Sequence, residues 1–158
     1  MSAGDEHSRA RRYATRLVAR RAYSRRALAD KIVGHGFGAD MARRIVDDLA
    51  RVGVLDDDAL AESLVEAELS RRPAGRALLE KKLLARGISG GTARRAVQRA
   101  LEDRDLVADA AEFAHGKASA MPASLDDTTR RRRLYAALAR RGFDPEVCRV
   151  ATEDALGV

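Results

Sequence analysis

Three helix-like segments of this chain end in the same pattern. In each, a Leu is followed four residues later by Ile or Leu, four later by Gly, and then directly by an apolar residue. The three sets are Leu28, Ile32, Gly36, Phe37; Leu79, Leu83, Gly87, Ile88; and Leu134, Leu138, Gly142, Phe143. The glycines are 51 and 55 residues apart. One such pattern would be weak evidence, because many helices end at a Gly. Three in register indicate a repeated unit of about fifty residues.

The composition favours closely packed helices over strands. Hydrophobic residues make up 46% of the chain and charged residues 34%, which argues against disorder throughout. Aromatic residues are only 4% and Trp is absent, so Leu, Ala and Val must form the cores. No run of alternating β-branched residues marks a strand. We therefore predict an all-α fold of tandem three-helix-bundle repeats forming an elongated curved array, with units at residues 6–54, 55–103 and 104–158.

The first unit shows how the helices of a repeat are expected to lie. Apolar residues at three- and four-residue steps, among them Tyr13, predict a helix from about residue 6 to 21. Ser24 is suited to cap a second helix that Gly36 ends, and a third helix should stop near Gly53. The second unit opens with the acidic residues 56–58, which we interpret as a helix cap and not as a Mg²⁺ site.

The sequence contains little that could support catalysis. Its three His are scattered, Cys148 has no His near it, and neither metal-ligand spacing nor a phosphate loop occurs. We expect no enzymatic activity, no cofactor and no metal site, and Cys148 should be a small buried residue. His35 is expected to do no more than contact the last carbonyls of its helix. One cysteine, no apolar leader and no membrane-spanning run together predict a soluble cytoplasmic protein.

The positive charge of the chain is concentrated at one end. The net charge is +6, and residues 1–55 carry 12 basic and 6 acidic side chains, whereas the remaining two thirds are balanced. Arginines at three- and four-residue steps form a stripe along the first helix, and residues 130–133 form a second concentration. Such charge favours polyanions or acidic protein surfaces as partners. With Phe37 and Phe143 assigned to cores, an aromatic platform for stacking single-stranded bases is not predicted.

Several segments resemble the RecX regulators of the bacterial recombinase RecA. The likeness covers the chain from about Tyr13 onward, with departures at Ala27, where the family often has an acidic residue, and at Leu60, where it often has Phe. It rests on RAYSRRALADKIVGHGF (21–37), GVLDDDALAESLVEAELSRRPAG (53–75), RALLEKKLLARGI (76–88) and LARRGF (138–143).

The resemblance implies a protein that modulates RecA and mainly inhibits it. Such a protein would bind in the groove of the RecA–DNA filament and limit filament extension, ATP hydrolysis, strand exchange and co-protease activity. It would act as a monomer on the RecA filament, with contact to the backbone of single- or double-stranded DNA left open. From the charge distribution we predict that the basic surface facing the partner comprises Arg12, Arg16, Arg20, Arg25, Arg131 and Arg132.

Two other classes of function are also compatible with this sequence. Short helices with Gly-containing turns also describe helix-turn-helix DNA-binding transcription regulators. Such a protein needs Arg, Asn or Gln on one recognition helix, and here Gln98 is the only Gln and Asn is absent. The second alternative is a helical-repeat adaptor that binds protein alone, whose binding would depend little on salt.

Overall fold

The computed structural model describes residues 2–158, and within that range the chain forms nine α-helices and no strand. The predicted all-α fold is therefore confirmed. The helices are α1 (Ala3–Arg20), α2 (Arg25–Gly34), α3 (Ala39–Arg51), α4 (Asp57–Arg71), α5 (Arg76–Ala85), α6 (Gly90–Leu101), α7 (Leu106–Ser119), α8 (Asp127–Arg140) and α9 (Pro145–Leu156). None of these helices combines the length and apolar character needed to cross a membrane.

The middle helix of each triplet ends in the same turn, as the repeated pattern predicts. Gly36, Gly87 and Gly142 have φ angles of 105°, 81° and 84°, a left-handed conformation in which a Cβ atom would be strained. The amide after each glycine donates a hydrogen bond to the carbonyl five residues earlier, which is the Schellman arrangement. The bonds run from Phe37 to Ile32, from Ile88 to Leu83 and from Phe143 to Leu138, over 3.1 to 3.3 Å.

The hydrophobic core is divided into three clusters, one for each triplet of helices. The clusters draw on residues 10–55, 60–101 and 110–151. Every pair of helices with an extensive interface lies within α1–α3, within α4–α6 or within α7–α9. Each triplet thus packs mainly on itself, as expected for tandem bundles. The boundaries at residues 54/55 and 103/104 remain our proposal for where one unit gives way to the next.

The division into small cores leaves a large surface exposed to solvent. The solvent-accessible surface is 9578 Å². A compact monomer of 17.2 kDa would expose only about 7,800 Å² by the usual scaling of surface with mass. The excess is what bundles arranged in series produce, because each covers its neighbours over only a small area.

The first two triplets meet where the C-terminal turn of α5 packs on the N-terminus of α2. The Ser24 hydroxyl accepts a hydrogen bond from the Ala27 amide at 3.1 Å, which caps α2 as predicted. The same hydroxyl donates to the Arg86 carbonyl at 2.6 Å, and the Arg86 guanidinium donates to the Ala22 carbonyl at 3.1 Å. One serine therefore caps its own helix and holds the next unit.

The second and third triplets meet in the same way, with the C-terminal turn of α8 on the N-terminus of α5. The Gly75 amide donates to the Arg141 carbonyl at 2.8 Å. Arg141 is only 8% exposed, and its guanidinium donates to the Pro73 carbonyl at 3.0 Å and to Glu68 Oε1 at 3.2 Å. Thus α8, α5 and α2 meet end to end, with the partly negative end of one helix against the partly positive end of the next.

Candidate basic binding surfaces

Four arginines form an exposed stripe along α1, on the side away from the core. Ala10 and Ala14 are fully buried, which orients the helix and turns Arg9, Arg12, Arg16 and Arg20 outward. Among residues 2–158, no carboxylate oxygen lies within 4.0 Å of any of these four guanidinium groups. The charge of the stripe is therefore available to an external anion.

A cleft of about 410 Å³ lies between this stripe and the turn that ends α2; we call it the α1–α2 cleft. Arg12 and Arg16, two of the predicted partner-facing residues, line it. The other residues of its lining are Glu6, Arg9, Tyr13, His35, Gly36 and Phe37. The cleft therefore combines three cations, one carboxylate and three rings, whereas Arg20 is exposed in the last turn of α1 outside it.

The rings of Tyr13 and His35 are stacked, with centroids 3.9 Å apart and planes 15° from parallel. Phe37 tilts against Tyr13 at 6.4 Å. His35 is exposed, whereas Tyr13 and Phe37 are half-buried and pack against the first core. The expectation that His35 only contacts carbonyls of its own helix is wrong, because α1 brings a ring from 22 residues earlier in the chain beside it.

Arg25 differs from the other predicted partner-facing residues because its charge is compensated within the chain. Its guanidinium lies 2.6 Å from Asp47 Oδ1. Its backbone amide donates to Asp57 Oδ1 at 3.0 Å, so Arg25 also takes part in the contact between the first two units. Its side chain is half-exposed, but a partner would have to compete with Asp47 for it.

The second predicted cluster lies on α8, in the third unit. Arg131 and Arg132 are both exposed in the first half of that helix, and neither has a carboxylate within 4.0 Å in the described part of the chain. Arg132, but not Arg131, lines a cleft of about 520 Å³ between α7 and α8. The other residues that line this cleft are Lys117, Met121, Arg133, Ala136, Ala137 and Arg140. This α7–α8 cleft carries four cations over an apolar floor.

The α8 N-terminus tolerates these cations because two acidic residues precede them. The Asp126 carboxylate accepts hydrogen bonds from the Thr129 amide at 2.9 Å and from the Thr129 hydroxyl at 2.7 Å. These bonds lower the pKa of Asp126, since they stabilise its charged form. With Asp127 in the first turn, they offset the unfavourable placement of arginines near the positive end of a helix.

Other polar groups that could have carried chemistry have structural roles. Asp56 caps α4 by accepting from the Ala59 amide at 3.0 Å, as the sequence analysis predicts. Cys148 is fully buried, which is also as predicted, and its thiol donates to the Phe143 carbonyl at 3.3 Å. Burial and the nearby Asp144 charge raise the pKa of this thiol and so keep it protonated. Within residues 2–158, no three His, Cys, Asp or Glu side chains come together to hold a metal.

The structure thus places three of the predicted residues in two separate clefts and adds members that were not predicted from the sequence. Arg12 and Arg16 share one cleft, and Arg132 lies in another with Lys117 and Arg140. The missed residues Tyr13 and His35 depend on a contact between two helices. A partial signal was present, since His35 occupies the place in its repeat that Arg86 and Arg141 occupy in theirs, directly before the glycine.

Comparison with known families gives one match within the chain and several over most of its length. The model of the third three-helix domain of RecX matches residues 103–151. The chain is 30% identical to the regulatory protein RecX of Corynebacterium efficiens over 144 residues, which cover 89% of this chain and 69% of that protein. It is also 30% identical to that of Chlorobaculum tepidum over 145 residues, covering 92% and 87% of the two chains.

Solved structures show the same fold at lower sequence identity. The crystal structure of RecX from Lactobacillus salivarius superposes with a TM-score of 0.79 at 17% identity, covering 98% of this chain and 99% of that one. A second crystal structure, of a regulatory protein RecX, gives a TM-score of 0.77 at 16% identity and covers 91% and 71%. Tandem helical bundles are therefore the architecture that this sequence shares with those proteins.

Proposed function

The chain belongs to the RecX family, and from this premise we propose that it regulates the bacterial recombinase RecA. In the finer form of the proposal, the protein binds in the helical groove of the RecA–DNA filament. There it limits filament extension, ATP hydrolysis, strand exchange and co-protease activity. It acts as a monomer in the cytoplasm, without catalysis of its own.

The observation that carries this proposal is the row of unpaired arginines on α1. Arg12, Arg16 and Arg20 are exposed, and their charge is not compensated within the described part of the chain. A filament groove exposes acidic protein surface and phosphates, and positive charge speeds and orients binding to such a surface. The α7–α8 cleft supplies a second cationic group on the third unit. Two such groups on different units suit a partner that extends past several helical bundles.

The end-to-end contacts between units also support the proposal that the protein binds in a filament groove. Each unit has its own core and is joined to the next through a helix terminus. Small rotations at such contacts change the curvature of the chain without unfolding any core. A protein built in this way can adapt to a curved groove, with binding contacts distributed along its length.

The proposal is tested by titrating the purified protein into a RecA ATPase assay on single-stranded DNA. We expect the wild-type protein to inhibit ATP hydrolysis at amounts comparable to RecA. The triple reversal Arg12→Glu, Arg16→Glu and Arg20→Glu should weaken inhibition at least tenfold, because a loss of only about 1.4 kcal/mol of binding free energy has that effect. Wild-type protein without any effect on the ATPase would contradict the proposal.

A matched control separates the stripe from the general charge of the protein. Reversing Arg43, Arg44 and Arg94, which are exposed on α3 and α6, changes the net charge by the same amount as the α1 reversal. Inhibition of the RecA ATPase by this control variant should stay near the wild-type level. Circular dichroism should show equal helicity for the wild type, the α1 variant and the control variant. Equal loss in both triple variants would mean that overall charge, and not the α1 stripe, governs binding.

Competition between DNA forms tests the proposal against sequence-specific DNA recognition. Gel-shift binding that ignores DNA sequence and strengthens on a RecA-coated strand would support the regulator. A preferred duplex site would instead support a helix-turn-helix transcription regulator. The exposed faces here contain a single Gln, Gln98, and no Asn for reading base edges.

A further inference from the structure

The turn that ends α2 is open to solvent, whereas the equivalent turns of the other two units are covered. A Cβ atom on Gly87 would lie 2.5 Å from the Ser24 hydroxyl, and one on Gly142 would lie 2.2 Å from the Leu78 amide nitrogen. A Cβ atom on Gly36 would meet no atom within 4 Å among the described residues. The first unit therefore exposes a surface that its counterparts use to contact a neighbour.

The residue before the glycine differs in the same way. Arg86 and Arg141 reach across to backbone carbonyls of the preceding unit. At the matching position, the His35 ring makes no hydrogen bond to a backbone carbonyl of the described residues and stacks on Tyr13 instead. The first unit therefore has a flat aromatic ring where the other two units have a long cation that contacts a neighbouring unit. This ring is exposed beside the α1–α2 cleft.

The chemistry of this cleft suits one kind of ligand. Arg9, Arg12 and Arg16 can donate hydrogen bonds to phosphate oxygens, and Glu6 is the one carboxylate in the lining. Tyr13 stacks on one face of the His35 ring, Phe37 lies tilted beside it with centroids 5.8 Å apart, and the part of the ring that is exposed to solvent offers a stacking surface. An aromatic surface beside a row of cations is the combination that binds single-stranded nucleic acid, with bases on the rings and phosphates on the cations.

We propose that the α1–α2 cleft binds single-stranded nucleic acid directly, with a base stacked on His35 and the adjoining phosphates bound by Arg9, Arg12 and Arg16. A duplex fits less well, because its bases are already stacked and paired. An acidic peptide could use the arginines but has no base to stack on the ring. The site goes beyond the proposed regulation of RecA, since it needs no recombinase, although the two share Arg12 and Arg16.

The experiment measures fluorescence anisotropy of a labelled oligothymidylate and of an abasic oligonucleotide of the same length, with no recombinase present. The abasic strand retains the phosphates and lacks the bases. Wild-type protein should bind the base-bearing strand at least fivefold more tightly, the lower limit expected for stacking of one base. His35→Ala should remove this preference while leaving binding of the abasic strand unchanged, and His35→Phe should restore it.

The arginines are tested with a matched pair of variants. Arg12→Gln with Arg16→Gln should weaken binding of both oligonucleotides tenfold or more and reduce the dependence of binding on salt concentration. Arg43→Gln with Arg44→Gln removes the same charge from exposed positions outside the cleft, and should have less than a threefold effect. Thermal unfolding of each variant confirms that the first unit remains folded.

Several results would overturn this proposal. They are the absence of binding to either strand, equal wild-type affinity for the two strands, or a preference for bases that survives His35→Ala. Equally strong competition by a polyglutamate peptide would identify the cleft as a site for acidic peptides. A wild-type protein that prefers the base-bearing strand but leaves the RecA ATPase unaffected would retain this site and contradict only the proposed regulation.

Discussion

At the scale of single residues, Glu68 is the side chain that most directly links the second unit to the third. Its side chain is 11% exposed and accepts hydrogen bonds from Lys82 at 2.7 Å and from Arg141 at 3.2 Å. The hydrogen bond from Lys82 contributes most to lowering the pKa of this carboxyl, and the Lys82 charge and Arg141 add to the effect against the opposing influence of burial. Breaking such an enclosed pair leaves Arg141 without its counter-charge.

Glu68→Gln should therefore lower the free energy of unfolding near neutral pH by about 1.5–3 kcal/mol, the usual range for a hydrogen bond to a charged group. Because the folded-state pKa lies below the ordinary value of 4.5, the stabilisation is present above that value and is lost as the pH falls through the folded-state pKa. Urea unfolding at neutral and acid pH should thus show a difference between wild type and variant that shrinks in acid.

The exposed glutamate Glu62, which pairs with Arg99 at 2.8 Å on the surface, is the control for this measurement. Glu62→Gln should cost less than about 1 kcal/mol at any pH, because exposed ion pairs contribute little. A Glu68 variant that behaves like the Glu62 variant would show that the link between the second and third units does not depend on this ion pair.

At the scale of helices, the repeated glycine has two distinct roles. In all three turns it permits the left-handed conformation that ends the helix. At Gly142 the missing side chain also permits close approach of α5, since a Cβ there would lie 2.2 Å from the Leu78 amide nitrogen. The first role can be predicted from local sequence. The second involves residues more than sixty positions apart and follows only from the way the helices meet.

Comparison of Gly36→Ala with Gly142→Ala separates the two roles. Gly36→Ala should destabilise the protein by only about 1–2 kcal/mol, the strain of an alanine in the left-handed region, because open space surrounds it. Gly142→Ala should cost more, since its methyl group would collide with the Leu78 backbone and force α8 away from α5. Hydrogen exchange at the Gly75 and Ala77 amides, which bond to the α8 terminus, should accelerate only in the second variant.

Equal losses of stability in these two variants, with unchanged exchange at both amides, would contradict the close approach of α8 and α5. That result would mean that the repeated glycine serves only to end its helix. The same comparison extends to Gly87, where the neighbouring atom is a serine side chain. Because that side chain can rotate, we expect Gly87→Ala to give an intermediate effect.

At the scale of the whole molecule, the two contacts between units differ in the polar interactions that form them. The contact between the second and third units contains the enclosed Arg141–Glu68 ion pair. In the described residues, no side-chain ion pair joins the first unit to the second. These two units are joined by hydrogen bonds from the side chains of Ser24 and Arg86 and from the Arg25 amide to Asp57. Bending along the molecule should therefore concentrate between the first and second units.

Spin labels at exposed positions test where the molecule bends. Label pairs at Val52 and Leu84 report on the first contact, and pairs at Leu84 and Tyr135 report on the second. We expect pulsed electron paramagnetic resonance (EPR) spectroscopy to give a broader distance distribution for the first pair than for the second. Buried Cys148 should stay unlabelled, and a pair at Val33 and Val52 within one unit gives the width expected without bending. A broader distribution for the second pair would refute this assignment.

The sequence by itself determined the repeat, the all-α class, the caps at Ser24 and Asp56, and the burial of the repeated leucines, because each depends on residues a few positions apart. The family resemblance was readable for the same reason, since it rests on local motifs in a fixed order. Charge counting also located two concentrations of arginine. It could not show which arginines are free, because the pairing of Arg25 with Asp47 bridges two helices.

Only the tertiary structure decided how the units meet and which surfaces stay open. The stack of His35 on Tyr13, the Arg141–Glu68 pair and the clash-free approach at Gly142 each join segments that are distant in sequence. Such contacts are fixed by the simultaneous packing of several helices, and no local pattern encodes their geometry. Local interactions therefore specified what each helix is, and long-range packing specified what its surface can bind.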